Sequence, residues 1–517
     1  MKFEKNTLGS AQAPTIADVC LVIEGAYPYV YGGVSSWVDQ LIKAHSHLTF
    51  YIVSIVPKLE GLERRYEFPS NVLGIHHVSL LTCSVGKVAE HVIKDICAAL
   101  EAPLVALQKG TGSLPEIRRI TTILEPLRRG GVQTLLDSRA AWDLLVRMYQ
   151  SVLPHGSFPN YFWSWRSMIG SLLGVLSGHM PEAYVYHTIS TGYAGLFAAR
   201  AHLEKKRPAI LTEHGIYSNE RRIELTLADW LGGEPTTDVN VKHKELDLRD
   251  IWINTFIGYA RACYGVSEPI ITLYEGNQRF QLRDGASADK LLVIPNGINT
   301  NRFPNLQRKG DDSELTIAFI GRVVPIKDLK TLIRACAILK VKFAAIRVLI
   351  MGPTDESPEY FRECVALVEQ LQCKQFIQFL GSVWLDNHIG EVDIVVLTSL
   401  SEAQPLVVLE AGIAGIPVVA TDVGACREMI MGASGEHPAY GVGGAITALA
   451  SPNATAEAIG SLLKDAAFRQ RCGRNLQARV RALYNKDTID GLYRDLYASM
   501  INRVSTEHDL AITRRAL

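Results

Sequence analysis

Two glutamates, an arginine and a lysine carry the most legible chemistry in the chain. In SEAQPLVVLEAGIAG, Glu402 and Glu410 are separated by seven residues around Pro405. Proline suits a first helical turn, which predicts Glu402 in a loop and Glu410 about one and a half turns inside the following helix. The N–H groups near Leu406 and Val407 then meet an anion such as phosphate, and the Glu410 carboxylate can accept hydrogen bonds from two ribose hydroxyls. The plainer alternative is a pair of solvated glutamates held near a helix start by its dipole.

Arg322 and Lys327 lie in GRVVPIKDLK, just after an apolar run that opens a second strand–helix alternation. Carboxyl ends of parallel strands open onto ligand crevices, and two cations there can neutralise a leaving diphosphate. Either cation alone reads equally as a solvated surface charge. Gly32, Gly33 and Val34 follow the first strand and precede a helix that Ser35 and Ser36 are placed to cap. Such a turn lets backbone approach a phosphate closely, although a G-G pair is also an ordinary turn, and no G-x-G-x-x-G fingerprint is present. His187 in YVYHTIST and His214 in TEHGIY each end an apolar strand. A histidine there donates to sugar hydroxyls or stabilises charge, or else is a satisfied core residue.

Alternating strand and helix signals position these residues. Asp18–Gly25, Thr49–Val56, Ala183–His187 and Ala209–Glu213 read as buried parallel strands, and residues 85–180 carry helical periodicity, predicting a helical insertion. From Leu315 a second series (LTIAFIGR, IRVLIMG, FIQFLG, VDIVVLTS, IPVVATDVG) alternates with helices. The expected architecture is α/β, with two doubly wound Rossmann-like domains. Their expected bounds are 15–297 and 298–484, with residues 485–517 crossing back to the first domain and a linker near Pro295–Asp312.

Lys plus Arg and Asp plus Glu both total 53, so no net charge points to nucleic acid. The nine cysteines form no C-x-x-C pair, which predicts reduced thiols and a cytoplasmic chain. The N-terminus lacks an apolar signal core and reads as a short loose arm. Tyr161–Leu176 is the most apolar stretch, but it is shorter than the roughly 20 residues of a bilayer span and contains Arg166. It is expected to be a core helix, with a membrane-surface helix as the alternative.

The set GGV at 32–34, EHG at 213–215, PNGI at 295–298, GR…K at 321–327 and the Glu402–Glu410 spacing resembles the retaining glycosyltransferases of family 4. That family has the GT-B architecture, two facing Rossmann-like domains with the site between them. The segments VCLVIEGAYPYVYGGVSSWV and TEHGIYSNERR, with the inserted helices, more narrowly resemble the cytosolic branch serving bacterial Pel exopolysaccharide synthesis in biofilms. The resemblance implies a UDP-sugar donor (UDP-glucose or a UDP-N-acetylhexosamine), a growing polysaccharide acceptor, and inner-membrane Pel components as partners that recruit the chain to that membrane. It places Arg322 and Lys327 on the diphosphate, Glu410 on the ribose and Glu402 on the sugar hydroxyls. It also places His214 on the sugar from the first domain, Gly33 and Val34 near the distal phosphate or acceptor, and Asn296 in the donor set. Gly32 and His187 are expected as further acceptor or sugar contacts. Many members follow the lysine with glycine or asparagine, whereas this chain has Asp328, which leaves that loop open.

Fixed cations and helix N–H groups would stabilise charge on a departing diphosphate, so no cofactor or metal is expected; no D-x-D motif stands where a donor metal would bind. Front-face attack with retention is the expected course. A UDP-sugar epimerase and a non-catalytic nucleotide-sugar sensor are the rival readings.

Overall fold

The computed structural model describes residues 16–81, 84–128, 130–226, 246–303, 306, 314–343 and 345–516. The expected loose arm therefore lies almost wholly outside the described residues, as does part of the expected linker. The chain divides into two compact units. Unit 1 is Met1–Ile271, Arg279–Leu292 and Tyr493–Leu517, and unit 2 is Thr272–Gln278 and Val293–Leu492.

Seven strands form the first sheet: β1 (Ala17–Glu24), β2 (Phe50–Val56), β3 (Val72–Ser79), β4 (Ala183–Thr188), β5 (Ala209–Glu213), β6 (Ser267–Thr272) and β7 (Leu291–Val293). Their order is β3-β2-β1-β4-β5-β6-β7, with β2–β3, β1–β2, β1–β4 and β4–β5 paired in parallel. The chain turns from one side of β1 to the other between β3 and β4, which makes the β1/β4 junction a topological switch point.

Between β3 and β4 lie the helices Glu90–Gln108, Leu114–Ile123, Val132–Leu136, Arg139–Val152 and Phe158–Ser177. They share one hydrophobic core with the sheet: Leu100, Leu104, Met168 and Leu172 cluster with Cys20 and Val22 of β1 and Val53 and Ile55 of β2. Burying each Leu, Val or Ile is worth about 1.5–3 kcal/mol, so the inserted helices are held by the same interior as the sheet. The apolar Phe158–Ser177 helix is thus a core helix, with Tyr161, Trp165 and Leu173 buried and Arg166 bonded to the Leu136 carbonyl and to Asp137. Among the described residues no helix is long and apolar enough to cross a membrane.

The second sheet runs β10-β9-β8-β11-β12-β13 and its pairs are parallel. Its strands are β8 (Leu315–Ile320), β9 (Ile346–Met351), β10 (Ile377–Gly381), β11 (Ile394–Leu397), β12 (Val418–Thr421) and β13 (Gly444–Thr447). Side chains alternate across a strand. Ile317 and Phe319 of β8 pack with Leu332 and Ile333 on one face, while Ala318 between them packs with Val408 and Leu409 on the other. Two covered faces explain why these strands read as continuous apolar runs. Each unit is therefore a Rossmann-like parallel sheet with helices.

The stretch read as a linker is in part anchored within unit 2. Ile298 bridges in parallel to Asn485, its N–H donating to the Tyr484 carbonyl at 2.8 Å, and the Lys486 N–H donates to the Ile298 carbonyl at 3.0 Å. All cysteines of the described residues are buried and unpaired.

Candidate functional site

In unit 2 the loops leaving β8 and β11 are tied to one another. The Leu400 N–H donates to the Ile326 carbonyl at 2.8 Å, and the Thr398 hydroxyl donates to the Asp328 carbonyl at 2.9 Å. This brings Lys327 Nζ to 2.5 Å from Glu402 Oε1, which also accepts from the Ser399 hydroxyl at 2.6 Å. Both side chains are largely shielded, at 19% and 11% exposure, so their attraction is screened less than that of a surface pair.

Asp328 resolves the loop left open by the sequence. Its φ is +43°, the left-handed region, and its side chain accepts from the Thr331 N–H at 3.3 Å to cap the helix Leu329–Leu339. Glycine, asparagine and aspartate tolerate this conformation best, and aspartate adds the cap.

Glu402 lies in the loop before the helix Leu406–Ile413, with Pro405 as N-cap and no side chain capping that end. The first-turn N–H groups of Leu406 and Val407 have no intrahelical partner. The Glu402 loop leans on Gly424 (φ +53°), where a Cβ would stand 2.2 Å from the Glu402 carbonyl oxygen and 2.3 Å from that of Ala403. Glu410 projects from the same helix and accepts from Arg302 Nη1 at 2.5 Å, while the Arg302 guanidinium also donates to Asp386 at 3.0 Å. Burial raises the Glu410 carboxyl above its ordinary pKa, which Arg302 opposes and Asp386 reinforces. Arg302, which the sequence reading did not single out, joins the candidate site through this contact with Glu410.

Asn296 and Arg322 of the predicted donor set are also in unit 2, whereas Gly33 and Val34 are in unit 1. Asn296 is buried; its N–H donates to Gln404 Oε1 at 2.6 Å, and its own Oδ1 has no hydrogen-bond partner. Arg322 differs from Lys327: about half exposed, it donates through Nη1 to both Glu356 oxygens, at 2.6 and 2.7 Å.

Within unit 1, Gly32 is the N-cap of the helix Gly33–Ala44, and no side-chain hydrogen bond caps it. Ser35 and Ser36 do not serve as the expected caps: Ser35 is buried inside the helix and the Ser36 hydroxyl accepts from Gln40 at 3.1 Å. A Cβ at Gly32 or Gly33 would meet nothing within 4 Å, so this turn faces open space.

His214 follows β5 with its Nε2 buried and unpartnered, edge-on to Trp37 at 4.6 Å. Burial lowers its pKa to about 4, making it neutral near pH 7. His187 departs from the expected sugar contact. It is fully buried, with Nδ1 2.7 Å from the Tyr497 hydroxyl and Nε2 2.9 Å from that of Thr212, so both ring nitrogens are engaged in the core. Beside it, Glu213 is raised to about 7 by burial, against hydrogen bonds from Gln281, Tyr264, Tyr217 and Thr191.

Against known families, residues 17–289 match the family described as "Domain of unknown function (DUF3492)". The chain belongs to that family. Beyond the DUF3492 region, residues 303–479 match the family "Glycosyl transferases group 1", and this segment holds Arg322, Lys327, Glu402 and Glu410. A D-inositol 3-phosphate glycosyltransferase of Nocardia farcinica is 30% identical over 245 residues, 44% of this chain and 52% of that protein. A glycosyltransferase of Methanocaldococcus jannaschii is 30% identical over 215 residues, 39% and 52% respectively. The chain spans about half the length of these curated relatives.

Among solved structures, Anabaena HepE in complex with UDP and glucose superposes with TM-score 0.54 at 14% identity, over 93% of this chain and all of that one. Sucrose-phosphate synthase of Thermosynechococcus elongatus gives 0.55 at 17%, over 93% and 99%. These likenesses show the GT-B fold.

Proposed function

We propose that the chain is a glycosyltransferase that moves a hexose or N-acetylhexosamine from a UDP-sugar, without a metal and with retention, to a growing polysaccharide. One observation carries the reading: unit 2 places Lys327 against Glu402, ahead of an uncapped helix start bearing Glu410. Lys327 and the N–H groups of Leu406 and Val407 supply positive potential for a diphosphate whose charge grows as the glycosidic bond breaks. Arg322 swings from Glu356 to the same group. Glu410 accepts the ribose hydroxyls, with Arg302 fixing its orientation, and Glu402 accepts sugar hydroxyls. The match of this segment to glycosyl transferases group 1, and the UDP and glucose in the HepE structure, support this assignment.

The finer reading is a PelF-type enzyme of Pel exopolysaccharide synthesis, acting beside inner-membrane partners. It rests on the segments at residues 19–38 and 212–222.

A thermal-shift and turnover panel of nucleoside-diphosphate sugars tests the assignment. UDP-sugars raise the melting temperature of the native chain, and Glu410→Ala abolishes that shift. An unchanged shift removes Glu410 from the ribose role.

A further inference from the structure

Unit 1 contains a cavity of about 640 Å³, within the size range of sites that enclose small molecules. Its floor is formed where β1, β2 and β3 end, by Glu24, Ile55 and Leu80. This is the carboxyl edge of the sheet beside the β1/β4 switch point, where doubly wound sheets bind ligands. Its walls come from the inserted helix Phe158–Ser177 and from the helices Tyr217–Thr226 and Leu248–Val266. The cavity lies wholly within the DUF3492 match.

Its chemistry is mixed. Glu24 Oε1 accepts from the Tyr217 hydroxyl at 2.6 Å and Oε2 from the Tyr193 N–H at 2.9 Å. The Ala194 N–H also donates to this carboxylate, and of the about four acceptor positions of an ionised carboxylate one remains. Arg221 Nη2 is 3.7 Å from Glu24, and these are the two charged side chains of the lining, so the wall carries no net charge. Arg221 is further engaged by Glu224 at 2.6 Å and lies over the Phe256 ring at 5.8 Å. The Trp252 indole Nε1 is buried without a partner, and its ring stacks on Phe256 at 5.9 Å.

An anion finds no free cation in this lining. A plain sugar leaves Ile55, Leu80, Leu225 and Phe256 against hydroxyls that they cannot bond. A plain hydrocarbon strands the remaining acceptor position of Glu24, and a buried polar group left without a partner is costly. We infer that this cavity binds a neutral amphiphilic glycoside, its hydroxylated ring at Glu24 and its apolar group along Phe256, Ile55 and Leu225. The assignment rests on unit 1 alone and is independent of the donor reading in unit 2.

Titration of the full-length chain with octyl glucoside below its micellar concentration, followed by tryptophan fluorescence, tests it, with glucose and octanol as separate controls. Octyl glucoside binds more tightly than either control. Ser167→Trp, which fills the cavity from an exposed position of the inserted helix, weakens it about tenfold or more while UDP binding and melting temperature stay as in the native chain. Equal binding of glucose or octanol overturns the ligand class. Trp163 of the same inserted helix also lines the cavity, and an affinity unchanged in both Ser167→Trp and Trp163→Ala overturns the site. UDP binding without octyl glucoside binding defeats this inference alone, and the reverse result defeats the donor reading alone.

Discussion

Lys327 Nζ stands 2.5 Å from Glu402 Oε1, although the two residues come from loops after different strands. The pair joins the one cation of the β8 loop that is shielded from solvent to the carboxylate that precedes the uncapped helix. In the proposed donor reading, a diphosphate arriving there would compete with Glu402 for the ammonium and so free the carboxylate to accept hydroxyls. Lys327→Ala therefore lowers kcat by about 10²–10³, the usual cost of one transition-state donor. UDP release from the UDP-sugar measures it, and Lys327→Arg recovers part of the loss.

The close approach at Gly424 makes it a control on the position of Glu402. Gly424→Ala places a Cβ within 2.3 Å of two carbonyl oxygens at a positive φ. It lowers stability by about 1 kcal/mol or more and moves the Glu402 loop. Melting temperature and transfer rate fall together. A native rate would show that the placement of Glu402 is immaterial.

Asp328 combines left-handed backbone with a helix cap, so its substitutions separate the two effects. Asp328→Asn keeps both and changes the melting temperature little. Asp328→Gly loses the cap and costs about 0.3 kcal/mol, and Asp328→Val loses both at about 2 kcal/mol or more. Equal melting temperatures for the glycine and valine variants would refute the backbone part of this account.

Glu213 gives a pH signature. Its folded pKa of about 7 exceeds the ordinary 4.5, so the folded state holds the proton more tightly. The contribution to stability is greatest below pH 4.5 and declines as pH rises to about 7, by about 3 kcal/mol in all. His187 and His214, lowered to about 3 and about 4, act with the opposite sign below pH 6.5, so comparison with Glu213→Gln isolates the carboxyl. Chemical denaturation of both proteins across pH 4.5–7.5 shows the stability difference between the native chain and Glu213→Gln falling as pH rises; a difference that stays constant contradicts the raised carboxyl.

Strands buried on both faces were legible because their apolar runs are continuous, as in LTIAFI of β8 and IRVLIM of β9. β3 escaped notice because VLGIHHVS is half exposed and carries two histidines and a glycine; β7 and β13 are only three and four residues long. The contact between Lys327 and Glu402 was foreshadowed by the order strand, cations, two-glutamate loop, while the Glu402–Glu410 spacing alone read equally as solvated charges. Arg302 was not, because its partner Glu410 lies 108 positions away and a cation in a Pro- and Asn-rich stretch reads as solvated. Glu24 and Arg221 were hidden likewise, since only the fold brings the end of β1 to a helix 197 positions later.

Acceptor-dependent turnover tests the central claim most directly. The purified chain is incubated with a UDP-sugar, with and without oligosaccharide acceptor, and both UDP and extended product are quantified. The account predicts UDP release coupled to product, retained anomeric configuration in the new bond, and loss of both products in Lys327→Ala. Conversion of the UDP-sugar to its epimer, or UDP binding with no turnover under any acceptor, would contradict it.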